Sequence, residues 1–105
     1  MRAWAVERPG PIDDGPLVRV ERPDPTPGPG EVRVKVSTCG VCRTDLHLAE
    51  GDLPPRHSGT IPGHEVVGVV DQLGPDTRRF KEGDRIGIAW LRHTDVVCRF
   101  CLRGD

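Results

Sequence analysis

The sequence predicts a mainly β domain with one or two short helices, and two observations support this fold class. The 105-residue chain contains 13 glycines and 11 prolines, a composition that interrupts helices and favours turns. Residues 31–37 alternate strictly between polar and apolar side chains, which is the period of a strand with one solvent-facing side. At this length we expect one folding unit around a single core.

The first 40 residues predict three strands. Residues 1–7 are apolar and β-forming, and a turn rich in proline, aspartate and glycine separates them from a second strand at 17–21. Residues 23–30 contain four prolines and two glycines and therefore form a stiff connector. The alternating segment at 31–37 is the third strand.

The following residues predict one helix and two further strands. Residues 44–50 lack helix breakers and precede Gly51, which predicts a short helix with a C-terminal glycine. The proline- and glycine-rich segment 51–63 is predicted to be a loop, followed by a buried strand at 66–70 and another at 85–90. Beyond Trp90 the chain is predicted to be irregular and to end within a loop at 103–105, so we expect the domain to continue past this point.

Charge and hydropathy exclude two classes of partner. The chain has 15 basic and 16 acidic residues and a net charge of -1, without the basic cluster that a nucleic acid or an anionic membrane would require. No apolar run approaches the roughly 20 residues of a membrane span, and no signal-peptide core follows the first methionine. We therefore expect a cytoplasmic protein that binds neither nucleic acid nor membrane.

The four cysteines form two C-x-x-C pairs, Cys39/Cys42 and Cys98/Cys101. In a reducing compartment this spacing indicates metal or redox chemistry before it indicates disulfides. Zinc prefers thiolate and imidazole ligands, and a catalytic site leaves one of its four positions open. Cys42 precedes the predicted helix, so it lies at the end of an element, where functional residues often occur.

Three motifs occur in order along the chain. They are Cys-Gly-Val-Cys-Arg-Thr-Asp-Leu-His at 39–47, Ile-Pro-Gly-His-Glu-Val-Val-Gly-Val-Val at 61–70 and Gly-Asp-Arg-Ile-Gly at 83–87. In order and spacing they resemble the zinc-dependent alcohol dehydrogenases of the medium-chain dehydrogenase/reductase superfamily, and the resemblance covers essentially the whole chain. It implies a GroES-like, partly open β-barrel with an irregular lobe of the structural-zinc type. Residues 1–105 would be the amino-terminal domain, truncated within the cysteine lobe and lacking the Rossmann cofactor domain.

The resemblance also implies a catalytic zinc site. Cys42 and His64 would be zinc ligands, with Glu65 as an alternative ligand or a partner in the surrounding shell. Thr44 would hydrogen-bond the substrate alcohol, and His47 would pass the proton to solvent, a task suited to an imidazole. Asp45 would orient the zinc-binding histidine, although a carboxylate at a helix start can also simply face water.

The activity implied is hydride transfer between a small alcohol and its aldehyde or ketone, with zinc as the Lewis acid and NAD or NADP as the hydride carrier. No G-x-G-x-x-G follows a strand in the sequence, so NAD(P) would bind only through the missing domain. The third zinc ligand has no candidate either. We therefore expect the chain alone to be inactive. Two kinds of partner stay open, a complementing cofactor domain and a second copy of the chain in a homo-oligomer.

The second cysteine pair departs from the family pattern. The family binds a structural zinc with a C-x-x-C-x-x-C run and one further cysteine, whereas here Asp95 occupies the first position before Cys98 and Cys101. A carboxylate can bind zinc but is a harder ligand. Two interpretations stay open, a weakened structural zinc site with Asp95 as a ligand and a metal-free lobe with exposed thiols.

Two alternatives for the whole chain remain. All four cysteines could hold one zinc in a stand-alone binding module, although the gap from Cys42 to Cys98 is long for such a site and leaves His64 without a role. A non-enzymatic GroES-like interaction domain is the other. Cys39 is not a ligand in the family, and we predict that it is a small buried residue.

Overall fold

The computed structural model describes residues 1–91, 93–95 and 97–103. Val96, which lies in the run from Asp95 to Cys101, and the predicted loop end at 104–105 fall outside the described residues. Within them, strands predominate and helices are short, so the predicted mainly β fold class is confirmed.

The first sheet is an antiparallel pair. Strand β1 (Arg2–Val6) pairs with β2 (Leu17–Glu21), with Ala3 opposite Val20 and Ala5 opposite Val18. A 3-10 helix at Ile12–Asp14 lies in the connection between them. Both strands lie where the sequence predicted them.

The second sheet carries the candidate site. It contains β3 (Val32–Cys39), β4 (Val66–Leu73) and β5 (Arg85–Ile88), all antiparallel, in the order β3-β4-β5. The two sheets are open, and a β-bridge between Val6 and Thr60 lies beside the first sheet. The predicted partly open barrel is therefore realised as separate open sheets.

Several strand ends differ from the prediction by one to three residues, and pairing explains the differences at β4 and β5. β4 continues past residue 70 because Leu73 pairs with Val32, the first residue of β3. β5 ends at Ile88 instead of residue 90 because Ile88 pairs with Val66, where β4 begins, so later residues have no partner on that strand.

The described residues form two α-helices, one between β3 and β4 and the other after β5. Helix α1 (Arg43–Glu50) ends at Gly51, whose φ of 87° is the left-handed conformation that favours glycine. The predicted helix is confirmed. Helix α2 (Arg99–Arg103) was not predicted, since five residues are too few to show a helical pattern, and the prediction that the chain is irregular throughout this region is wrong.

The buried apolar core is small. Its side chains come from β1, α1 and β4, and they are Ala5, Val6, Ala49 and Val70. No helix among the described residues is long and apolar enough to cross a membrane.

Candidate metal centre and adjoining cleft

The junction of β3 and β4 brings the first two motifs together. Cys39, the last residue of β3, pairs with Val66, the first of β4. The Gly40 amide then donates a hydrogen bond of 2.9 Å to the carbonyl of Glu65. The chain segments that follow β3 and precede β4 therefore lie side by side, which places Cys42 close to His64.

Two glycines permit this close approach. A Cβ atom on Gly40 would lie 2.5 Å from the Glu65 carboxylate. Gly63 has a φ of 123°, a conformation that L-residues rarely adopt, and it directly precedes His64. Both glycines therefore serve the backbone conformation of the junction.

Three candidate ligands converge at this junction. One ligand atom from each of Cys42, His64 and Glu65 lies within 4.8 Å of the other two. Cys42 and His64 are partly buried, whereas Glu65 is exposed. A thiolate, an imidazole and a carboxylate form a donor set suited to zinc, so the chemistry of these residues fits the metal that the sequence implies.

Asp45 connects the helix to the histidine. Its Oδ2 accepts a hydrogen bond of 2.9 Å from the Cys42 amide, which caps the start of α1. Its Oδ1 lies 3.3 Å from Nδ1 of His64 but is buried without a hydrogen-bond partner among the described residues. The two atoms are within ion-pair distance, and the contact is electrostatic. With Nδ1 facing the carboxylate, Nε2 of His64 would be the nitrogen left for a metal.

The protonation of the cluster follows from these contacts. The Thr44 amide and hydroxyl lower the pKa of the Cys42 thiol, and His64 adds to this effect. In turn the Cys42 thiolate raises the pKa of His64, with the charge of Asp45 acting in the same direction. The cysteine is thus favoured as the thiolate, the form that binds a metal.

The two residues predicted for proton transfer lie on α1. The Thr44 hydroxyl is 3.6 Å from Cys42 Sγ, so it borders the cluster. His47 lies three residues later, on the same side of the helix as Thr44. Its Nδ1 is 3.0 Å from Oδ2 of Asp52, a partner that the sequence analysis did not single out.

An open cleft of about 790 Å³ adjoins the cluster. Thr44 and His64 line it, together with Ile61 and Trp90. The rings of His64 and Trp90 are 6.1 Å apart between centroids, tilted by 39°. No pattern in the sequence predicts that Trp90 lies beside His64, because the two residues are 26 positions apart.

The second cysteine pair forms a separate cluster with Asp95. Ligand atoms of Asp95, Cys98 and Cys101 lie within 4.8 Å of one another. The two sulfur atoms are 3.5 Å apart, far longer than a disulfide bond and near the roughly 3.8 Å edge of a tetrahedral zinc–thiolate site. Their donor chemistry therefore also fits zinc.

Asp95 is held in place by the backbone. Its Oδ1 accepts hydrogen bonds of 2.9 and 3.0 Å from the amides of Cys98 and Val97. These two bonds lower the pKa of the Asp95 carboxyl to about 2. The carboxylate is thus charged at neutral pH.

The clusters do not favour a single four-cysteine site. Among the described residues, the candidate ligands form two clusters. One contains Cys42, His64 and Glu65, and the other contains Asp95, Cys98 and Cys101. Cys39 belongs to neither and is exposed, so the prediction that it is buried is wrong. The reason is that β3 is an edge strand and Cys39 lies at its end.

Comparison with known proteins identifies the family. Residues 28–105 match the alcohol dehydrogenase GroES-like domain. The chain is 56% identical over its whole length to a probable alcohol dehydrogenase, AdhA, of Mycobacterium tuberculosis, and covers 32% of that protein. The chain belongs to the alcohol dehydrogenase GroES-like domain family.

Solved structures share the fold. A zinc-dependent alcohol dehydrogenase from Streptococcus pneumonia matches with a TM-score of 0.82 and 32% identity, over 99% of this chain and 28% of that one. A cobalt- and zinc-bound alcohol dehydrogenase from Pyrobaculum aerophilum matches with a TM-score of 0.80 and 38% identity, over 99% of this chain and 30% of that one. The chain thus spans about a third of the length of the relatives it matches.

Proposed function

We propose that this chain is the zinc-binding catalytic domain of an NAD(P)-dependent alcohol dehydrogenase. The observation that carries the proposal is the convergence of Cys42, His64 and Glu65 at the β3–β4 junction, with Thr44 and Asp45 beside them. Relatives that bear the name alcohol dehydrogenase, and structures described as zinc-dependent or zinc-bound, support it.

Each residue of the proposed site would have a distinct role. Cys42 and His64 would hold zinc, Glu65 would serve as an exchangeable ligand, and Asp45 would fix the orientation of the histidine. When bound, zinc would supply a Lewis acid that favours loss of the alcohol proton. Thr44 would accept that proton and release its own, since a hydroxyl both accepts and donates.

His47 would carry the proton onward. It is partly exposed on α1, three residues beyond Thr44, so it can exchange a proton with solvent. NAD(P) would receive the hydride and would bind to a dinucleotide-binding domain that acts with this one. The substrate would be a small alcohol entering the cleft lined by Thr44 and His64.

We also propose a second zinc at Asp95, Cys98 and Cys101 with a structural role. The 3.5 Å separation of the two sulfur atoms and the charged Asp95 carboxylate support this site. A fourth ligand would come from water or from another segment.

Zinc content per chain tests the catalytic site. We expect Cys42→Ser and His64→Ala each to reduce bound zinc by about one equivalent, measured by elemental mass spectrometry after dialysis. The matched controls are Cys39→Ser and His57→Ala, residues of the same types outside both clusters, and they should retain the wild-type content.

The alternative module makes the opposite prediction. If four cysteines held one zinc, Cys39→Ser would release as much metal as Cys42→Ser, and His64→Ala would release none. Either result would overturn the proposed catalytic site.

A further inference from the structure

Asp52 contacts His47, a predicted site residue, and nothing in the motifs explains this contact. Its Oδ2 lies 3.0 Å from Nδ1 of His47. The pair is partly open to solvent, with the His47 side chain 39% exposed and that of Asp52 62% exposed. At this distance the two groups are hydrogen-bonded, provided that Nδ1 carries the proton.

The backbone fixes this contact. Helix α1 ends at Gly51, and the amides of Gly51 and Leu53 both donate to the carbonyl of His47, at 3.0 and 3.2 Å. Asp52 lies between these two anchored residues. The turn therefore holds the Asp52 backbone beside His47, and the carboxylate reaches the ring without a long flexible stem.

Glycine makes the turn possible. Gly51 has a φ of 87°, and a Cβ there would also lie 3.0 Å from Cβ of Pro9. A larger residue would strain the turn and displace the segment that carries Asp52.

The contact selects one neutral form of the imidazole. A histidine in water has a proton on either nitrogen, and the group that bonds one nitrogen determines the state of the other. A carboxylate only accepts, so it requires the proton on Nδ1. Nε2 is then unprotonated and free to accept a proton.

We propose that Asp52 is a positioning residue that holds His47 in the Nδ1–H form, with Nε2 as the acceptor. The inference rests on the proposed function, in which His47 carries the proton away from Thr44. A proton that arrives at Nε2 would give an imidazolium whose Nδ1–H still faces the Asp52 carboxylate. The proton then leaves to solvent from the exposed ring, and no atom is gained or lost.

The test reads the tautomer directly. In the ¹⁵N-labelled chain, two-bond proton–nitrogen correlations distinguish a protonated ring nitrogen from a bare one. We expect neutral His47 to show Nδ1 protonated and Nε2 bare. Asp52→Ala should shift the majority of His47 to the Nε2–H form, whereas Asp52→Glu should restore the Nδ1–H form at least in part.

The controls separate this effect from general disturbance. Asp13→Ala removes a carboxylate from the exposed 3-10 helix and should leave the His47 signals unchanged. His57 provides an internal reference that should not respond to any substitution at Asp52. An unchanged His47 tautomer in Asp52→Ala would overturn the proposal.

Failure of the proposed function would look different. His64→Ala could leave the zinc content unchanged while the His47 tautomer still depended on Asp52. That result would contradict the proposed catalytic site but would support the role of Asp52 in positioning His47. If zinc were lost as expected and the tautomer did not respond, only the role of Asp52 would fall.

Discussion

At the scale of single residues, Asp45 serves both the helix and the candidate metal site. One carboxylate oxygen caps the Cys42 amide at the start of α1, and the other lies buried beside His64. A buried carboxylate oxygen without a hydrogen-bond partner is costly. In the proposed zinc site, an Nδ1–H of His64 that donates to this oxygen would satisfy it and would couple metal binding to the fold through one side chain.

Replacing Asp45 should therefore weaken zinc binding without removing a ligand. Loss of a carboxylate behind a metal-binding histidine typically costs about 10- to 100-fold in affinity, and we expect Asp45→Ala to fall in this range. Chelator competition measures the affinity, with Asp13→Ala as the control. Thermal unfolding followed by circular dichroism shows whether the lost helix cap, worth about 1 kcal/mol, contributes.

An unchanged zinc affinity in a folded Asp45→Ala protein would contradict this coupling. It would support the other interpretation of the sequence, in which Asp45 serves only the helix start.

Asp95 offers a second test at the residue scale. A thiolate is a softer ligand than a carboxylate and binds zinc more strongly. We expect Asp95→Cys to raise the zinc affinity of the second site by at least about 10-fold, measured by chelator competition. Cys98→Ser in the same background should abolish the gain. If Asp95→Cys left affinity unchanged, Asp95 would be only the acceptor of its two backbone amides.

The family resemblance predicted the residues of the main cluster, with Thr44 and Asp45 beside them, but it did not predict the partner of His47. Cys42, His64 and Glu65 follow from motifs with a fixed order, and the structure brings them together. The contact between His47 and Asp52 depends on the turn at Gly51, and no spacing rule identifies such a contact. The only available signal was a carboxylate immediately after the helix-ending glycine.

At the scale of elements, the position of the site depends on the pairing of β3 with β4. Strong local signals predicted these elements, since β3 alternates and β4 is a short apolar run. Their exact ends were not predictable, because they depend on the partner strand, as at Leu73 and Ile88. The shift in register between Val36 and Thr38 is likewise a property of the pair and not of either strand alone.

Gly68 in β4 should be essential to this pairing. A Cβ there would overlap the Lys35 carbonyl oxygen and lie 2.5 Å from Cγ1 of Val34, so the backbone of β3 would have to move. We expect Gly68→Ala to destabilise the chain by about 1–3 kcal/mol, as for other overpacked sites. Urea unfolding measures the change.

Gly87 in the neighbouring strand β5 is the matched control. A Cβ there would lie 3.8 Å from the Val66 carbonyl oxygen, an ordinary contact, and we expect Gly87→Ala to change stability by no more than about 0.5 kcal/mol. Equal effects at both positions would mean that strand propensity, and not the close approach to β3, determines the cost.

At the scale of the whole molecule, the chain exposes more surface than a compact protein of its mass. Its accessible area is 8340 Å² for 11.5 kDa, whereas a folded monomer of that mass has about 5,800 Å². The radius of gyration is 15.6 Å, against about 13 Å for a compact domain of this length. The excess of roughly 2,500 Å² is the area of a large protein interface.

Much of the exposed apolar surface lies late in the sequence. Trp90 is 74% exposed and Leu91 73%, and Phe100 and Leu102 of α2 are also exposed. Apolar surface of this extent favours association with another protein surface. The predicted apolar face of β3 is also partly uncovered. Val36 is 57% exposed, so no layer of the described residues covers it.

We therefore expect the isolated chain to self-associate or to be poorly soluble. Light scattering coupled to size-exclusion chromatography, over a series of protein concentrations, should give a mass above 11.5 kDa that rises with concentration. Replacing Leu91 and Leu102 together with lysine should shift the mass toward the monomer, because charged side chains oppose burial of the same surface. The control is Ile12→Lys, which replaces an exposed apolar residue on the 3-10 helix and should leave the association unchanged.

A clean monomer at every concentration would mean that the exposed apolar surface drives no self-association. An equal effect of Ile12→Lys would mean that net charge, and not this surface, controls association.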